Sequence, residues 1–220
     1  TGTTLSSGPF EGGRDDDFPT NAPGDAEDLR LGRFLATGRV AHCAKTHFLA
    51  GDERTERPHL RLLYAWRDPR DVVLSTCWYA LAGPAADAFA GMSQERAFAA
   101  VTSMVLPPLA ASLRAAVDAP PGTLLVGYAA LIDAPIRQVE RVAEHLGIDL
   151  PRGFAAATAA GLRFQREAGR SPGVEDRSSY HRKGVVGGWS EDLPVDQQEA
   201  IAQVLPDLEE LLAALRARSG

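Results

Sequence analysis

Apolar positions along the chain change period from segment to segment. Residues 39–44 (RVAHCA) and 60–66 (LRLLYAW) are short apolar runs that predict strands, and 123–128 (TLLVGY) is a third, of the kind buried on both faces. Between them the period lengthens to that of helices. Asp68 and Pro69 form an N-cap followed by a first-turn proline, and Val72, Val73 and Trp78 continue an apolar run behind them. Residues 94–118 keep helical spacing, with Pro107-Pro108 expected to kink or break the helix. Residues 135–147 place Ile136, Val139, Val142, Ala143 and Leu146 on one face and end in Gly147, a C-cap residue. A last helix is expected from about 194 to 218, whereas residues 8–28, rich in Gly, Pro and Asp, read as loop. Strands alternating with helices predict an α/β fold: one domain with a central parallel sheet flanked by helices. No internal repeat breaks that reading.

Composition narrows the function classes. The 220 residues are 45% hydrophobic and 24% charged, enough for one globular core and not comfortably for two. Asp and Glu outnumber Lys and Arg by 29 to 23, a net charge of −6 that argues against a nucleic-acid partner, which needs a basic footprint. No run approaches the ~18 apolar residues of a membrane span, so no membrane partner is expected. Cys43 and Cys77 have no CxxC companion, which fits a reducing, cytoplasmic setting better than a disulfide framework or structural zinc. Only two lysines occur, Lys45 and Lys183, in a chain otherwise basic through arginine. Their scarcity reads either as chance in an arginine-rich chain or as lysine kept where arginine cannot replace a compact point charge.

In sheets of this kind ligands sit beyond the carboxyl ends of the strands, so the segments after the strands carry the chemistry. Arg67 stands at a strand exit where a helix N-terminus also points, and guanidinium plus free backbone N–H groups suit a phosphate. Ser75, eight residues on, can add a hydroxyl. Arg182-Lys183-Gly184, followed by Gly187 and Gly188, places two cations beside a backbone able to wrap an anion. Out of context that segment reads more readily as a surface loop with incidental charges. Thr1-Gly2-Thr3-Thr4 offers small residues and hydroxyls for a phosphate. Lys45-Thr46-His47 lies just past the first strand, and a histidine with near-neutral pKa there can accept a proton from a hydroxyl nucleophile. A Walker A reading of Lys45-Thr46 fails, because Arg39 and Ala44 stand where GxxxxGK[ST] requires glycine.

The order and spacing of these segments resemble the sulfotransferases that use 3′-phosphoadenosine 5′-phosphosulfate (PAPS). TGTTL at 1–5 is similar to that family's phosphosulfate loop, KTHFL at 45–49 to its histidine segment, RDPRDVVLS at 67–75 and RKGVVGGW at 182–189 to its two 3′-phosphate segments, and GYAALIDAP at 127–135 to its tyrosine segment. The resemblance implies a P-loop-kinase-like sulfotransferase fold across residues 1–220, with a strand before Thr1 and part of the first loop and helix missing. It implies that Thr1, Gly2, Thr3 and Thr4 hold the 5′-phosphate, and that Arg67, Ser75, Arg182, Lys183 and Gly184 hold the 3′-phosphate. By the same likeness Tyr128 and Thr158, with Phe164 as a second match, contact the adenine. His47 is then the general base and Lys45 the cation that stabilises the moving sulfuryl group. The implied donor is PAPS, with adenosine 3′,5′-bisphosphate (PAP) as product, no metal, and a small-molecule hydroxyl (less readily an amine) as acceptor, a chemistry fitting secondary metabolism. Loops 8–35, 80–95 and 165–180 would shape the acceptor site. Gly188 and Ser190 replace the family's usual Asp and Lys, and its dimer motif survives only in Val195 and Glu199, so a monomer or weak homodimer is expected. The alternative is a degenerate module that holds PAP without turnover.

Overall fold

A computed structural model of the chain describes residues 61–83, 86–179 and 181–219. Strand β1 (Leu63–Trp66) and strand β2 (Leu124–Gly127) pair in parallel, with Leu63 opposite Leu124 and Trp66 opposite Gly127. Parallel neighbours need a crossover. Here it consists of two helices, α1 (Pro69–Ala82) and α2 (Gln94–Val117), which pack on each other, with a short 3₁₀ turn at Ala86–Phe89 between them. The register has a steric condition at its end. The Trp66 indole lies over Gly127, where a Cβ would come within 2.9 Å of the ring, so the strand can leave beside Trp66 only as glycine.

Helix α1 starts as its sequence predicts: the Asp68 carboxylate accepts from the Arg70 backbone N–H at 2.9 Å, and Pro69 occupies the first turn, where its missing N–H is not needed. Val73, Leu74 and Cys77 are fully buried along its inner face. They meet Phe98, Val101 and Leu106 of α2, whose N-cap is Ser93. Helix α2 runs unbroken through Pro107-Pro108, against expectation. Both prolines lie on its exposed side, while Leu106 and Ala110 are buried beside them, so packing of the inner face holds the helix across the lost hydrogen bonds. By length and composition α2 could also span a membrane, which corrects the expectation that no stretch approaches that limit. It instead lies against α1 and the two last helices.

After β2 the chain continues through α3 (Tyr128–Asp133), α4 (Pro135–Leu146), α5 (Phe154–Gly161), α6 (Phe164–Ala168) and α7 (Trp189–Asp192). Helix α4 occupies its expected range and is capped by Gly147. Its buried face differs from the expected one: Gln138 and Ala143 are buried, while Ile136 and Leu146 lie 45% and 42% exposed. Gln138 tolerates that position because its carbonyl accepts from Arg141 at 2.8 Å. The single last helix of the sequence reading is two, α8 (Val195–Val204) and α9 (Leu208–Arg218), separated at Leu205-Pro206-Asp207. Pro206 cannot supply the amide a continuous helix would need, and Leu205 turns into the core. Ile201, Leu205, Leu208 and Leu212 complete the main apolar cluster with α1 and α2. A second cluster of Leu113, Ala116, Leu125 and Leu215 anchors β2. Among the described residues the protein is therefore helix-rich around a small parallel sheet.

Candidate functional site

The register of the sheet decides what stands at its carboxyl end. Because Trp66 is opposite Gly127, the next residues, Arg67 and Tyr128, emerge side by side. The Arg67 guanidinium carbon lies 4.2 Å from the Tyr128 ring centroid, a cation–π contact. Arg67 donates through Nη2 to the Val185 carbonyl at 3.0 Å and approaches the Asp71 carboxylate at 3.4 Å. Its Nε is buried and has no hydrogen-bond partner among the described residues. An unmatched guanidinium donor is costly unless something accepts from it.

Arg67, Ser75, Tyr128, Phe164, His181, Arg182, Lys183 and Gly184 line one cleft of about 140 Å³. That volume leaves room for an anion of phosphoryl size. The two basic segments singled out in the sequence thus share one wall-to-wall space, although 115 positions separate Arg67 from Arg182. Ser75 reaches it because α1 starts at Pro69 and carries the hydroxyl along the same side as Arg67.

Behind the cations stand carboxylates that do not line the cleft. Arg182, 6% exposed, pairs with Glu175 and, at 3.3 Å, with Asp192; Lys183 donates to Asp192 at 2.9 Å. Burial pushes the Asp192 carboxyl up, but hydrogen bonds from Lys183 and Arg182, with their charges, outweigh it and hold the group below the usual carboxylate range. Asp71, 1% exposed, accepts from the Gly187 N–H at 2.9 Å and the Trp189 N–H at 3.1 Å. A third arginine, Arg170, donates to the carbonyls of His181 and Arg182 and so holds the backbone of the cationic pair.

Gly184 lies against the Phe164 ring. Its φ is +65°, and a Cβ there would lie 2.3 Å from the Phe164 ring. The ring therefore packs on bare backbone at the cleft wall, a position no other residue shares comfortably.

Other expectations are placed differently. Thr158 sits on α5 and does not line this cleft; the chain turns at Leu162-Arg163 into α6 and brings Phe164 there instead. Trp78, part of the apolar run expected after Pro69, is 8% exposed, with Phe98 at its edge and Arg177 stacked 3.8 Å away. Cys77 is buried, and that burial pushes its thiol up to about 12, which leaves it inert as a nucleophile. Thr1, Gly2, Thr3, Thr4, Lys45 and His47 lie outside the described residues. Asp71, Glu175 and Asp192 were not singled out by motif reading. The one available signal was Asp71 itself, an acid directly before the apolar run of α1.

No group of three or more potential metal-ligating side chains occurs among the described residues. The residues that line the cleft are cationic, aromatic and hydroxylic, a donor set for an anion and not for a cation.

Comparisons with known proteins converge on one family. The sulfotransferase domain model matches residues 40–213. No curated protein matches the chain. Among solved structures, the crystal structure of mouse sulfotransferase SULT7A1 complexed with PAP matches with a TM-score of 0.51 and 17% sequence identity, over 67% of this chain. This chain covers 57% of the mouse protein's length. At that identity the likeness establishes the fold, a parallel sheet with flanking helices. With the family match over residues 40–213, the chain belongs to the sulfotransferase domain family.

Proposed function

We propose that this protein transfers a sulfuryl group from PAPS to the hydroxyl of a small-molecule acceptor, without a metal. The observation that carries the reading is the shared cleft. Arg67 and Ser75 come from the β1–α1 junction, Arg182, Lys183 and Gly184 from a loop far along the chain, and together they surround a phosphoryl-sized space. A ribose 3′-phosphate is the feature that separates PAPS and PAP from ATP and 5′-AMP, and Arg67, with its unpartnered Nε, together with Arg182 and Lys183 suits its double charge. Tyr128 and Phe164, on the same wall, suit a base or ribose face.

The donor, when bound, supplies the activated sulfuryl group. Transfer of such a group passes through a loose transition state in which positioning and charge stabilisation do most of the protein's work. In this reading His47 takes the proton from the acceptor hydroxyl as its oxygen bonds to sulfur, and Lys45 offsets charge on the transferring oxygens. Thr1 to Thr4 hold the 5′-phosphate side.

Calorimetry with PAP and 5′-AMP tests the donor assignment directly. The expected result is a preference for PAP that disappears in Arg182→Ala; equal affinity of the unaltered protein for both nucleotides refutes it. His47→Ala should abolish turnover and leave PAP affinity nearly unchanged, and a fully active variant removes the histidine from the mechanism.

A further inference from the structure

Asp71 has no place among the groups that line the cleft, yet it is the most completely buried charged side chain among the described residues, at 1% exposure. A carboxylate so deeply placed needs partners for both oxygens. Oδ2 accepts from the Gly187 N–H at 2.9 Å and lies 3.4 Å from Arg67 Nη2; Oδ1 accepts from the Trp189 N–H at 3.1 Å. Its two hydrogen-bond partners thus come from backbone more than a hundred residues downstream, and its ion-pair partner stands one helical turn before it. Arg67 closes the ring by donating to the Val185 carbonyl at 3.0 Å.

We propose that Asp71 is a positioning residue: a clasp that fastens the 182–189 loop to the start of α1, so that Arg67 and Arg182 present themselves to one phosphate together. The inference rests on the donor reading above and deepens it. The loop from Arg182 to Gly188 contains neither helix nor strand, and Gly187 adopts a φ of +76°, so no regular backbone ladder sets its course. Backbone bonds from Gly173 and Asp176 hold its start at Arg182-Lys183, and Asp71 constrains its glycine-rich end, because two amides two residues apart bound to one carboxylate leave the intervening backbone little freedom. The anchor itself is stiff. Asp71 stands in the first turn of α1, where the helix dipole favours its charge and the capped N-terminus fixes its Cα. Asp71 also controls Arg67. With Nη2 engaged by Asp71 and Val185, the guanidinium presents its remaining donors, including the unmatched Nε, in a fixed orientation.

Asp71→Asn tests this, because it keeps the shape but replaces one accepting oxygen with an N–H₂ that cannot accept from an amide. In the folded variant the ratio of 5′-AMP to PAP dissociation constants should fall by on the order of tenfold, the scale of one charge-assisted hydrogen bond, while 5′-AMP affinity itself holds. A merely structural role lowers the melting temperature and leaves that ratio in place, and this result overturns the proposal. The double variant Asp71→Asn/Arg182→Ala should lose less than the product of the two single effects, since Asp71 acts in part through Arg182; fully additive losses in free energy overturn it as well.

Hydrogen exchange separates the clasp from the donor assignment. In the unaltered, nucleotide-free protein the Gly187 and Trp189 amides should be protected although they lie in or beside a loop, and Asp71→Asn should release them without speeding exchange in β1 or α2. Unprotected amides at both positions overturn the clasp, and this measurement stands even where the variant fails to fold. If the unaltered protein does not distinguish PAP from 5′-AMP but the exchange pattern is as described, the donor reading fails and the clasp survives.

Discussion

Arg67 and Arg182 meet at one cleft but are brought there by opposite means. Arg67 inherits its place from regular structure: a strand paired in parallel, a capped helix beginning two residues later, and a tyrosine that the sheet register puts next to it. Its side chain remains 29% exposed. Arg182 has no such frame. It is 6% exposed in an irregular segment and is held by side chains: Glu175 and Asp192 on its guanidinium, Arg170 on its carbonyl. Backbone bonds from Gly173 N to Lys183 O at 2.8 Å and from Asp176 N to Arg182 O at 2.9 Å tie the same segment to the preceding turn. The lesson concerns what each arm responds to. The first arm follows the stability of the core, whereas the second follows local charge and fit.

A core substitution should strike the first arm hardest. Leu74 is fully buried between α1 and α2, and Leu74→Ala should destabilise the protein by about 3 kcal/mol, within the usual range for a buried leucine. Denaturant unfolding measures this, and the surviving folded fraction should still prefer PAP. The second arm breaks at Gly184. Gly184→Ala drives a Cβ into the Phe164 ring at a backbone angle unfavourable for alanine, and should cost about 1–3 kcal/mol of local strain, read as weaker PAP binding with a smaller change in unfolding midpoint. An unchanged affinity would mean that the loop and Phe164 part easily.

The smallest effect is acid sensitivity. Asp192 is held below its ordinary pKa in the folded state, so its contribution is present above the unfolded value, near 3.9, and is lost as pH falls through the lower folded one. Asp192→Asn should therefore flatten the acid limb of a plot of melting temperature against pH below about 4. Identical limbs would show that its pairs with Lys183 and Arg182 contribute nothing.

The same contrast explains what could be read from the chain. The β1–α1 junction was legible because Asp68-Pro69 and the apolar run are local signals, each with a backbone consequence inside a few residues. The end of α4 at Gly147 was legible for the same reason. Motif spacing also named most of the residues that line the cleft. Part of what escaped depends on distant partners. Pro107-Pro108 stays helical because of the packing on the other side of α2. The break at Pro206, by contrast, has a local cause in the sequence, which the expectation of one helix over 194–218 passed over. Phe164 reaches the cleft wall through a turn at Leu162-Arg163 that periodicity does not encode. The carboxylates behind the cations escaped although they lie close in sequence, Asp71 four residues after Arg67 and Glu175 and Asp192 seven and ten from Arg182, because nothing in an irregular segment fixes which of its acids folds back onto a cation.

The pairing of Leu63 with Leu124, 61 positions further along, also constrains the order of assembly. No turn can bring these strands together early, since the whole crossover must first be gathered and its loop-closure entropy overcome. The α1–α2 hairpin, whose contacts are nearer in sequence, is positioned to condense before them. On this account the cleft comes into being late in folding, once the two strand ends lie side by side, and a chain halted earlier would carry well-formed helices yet no cleft between them.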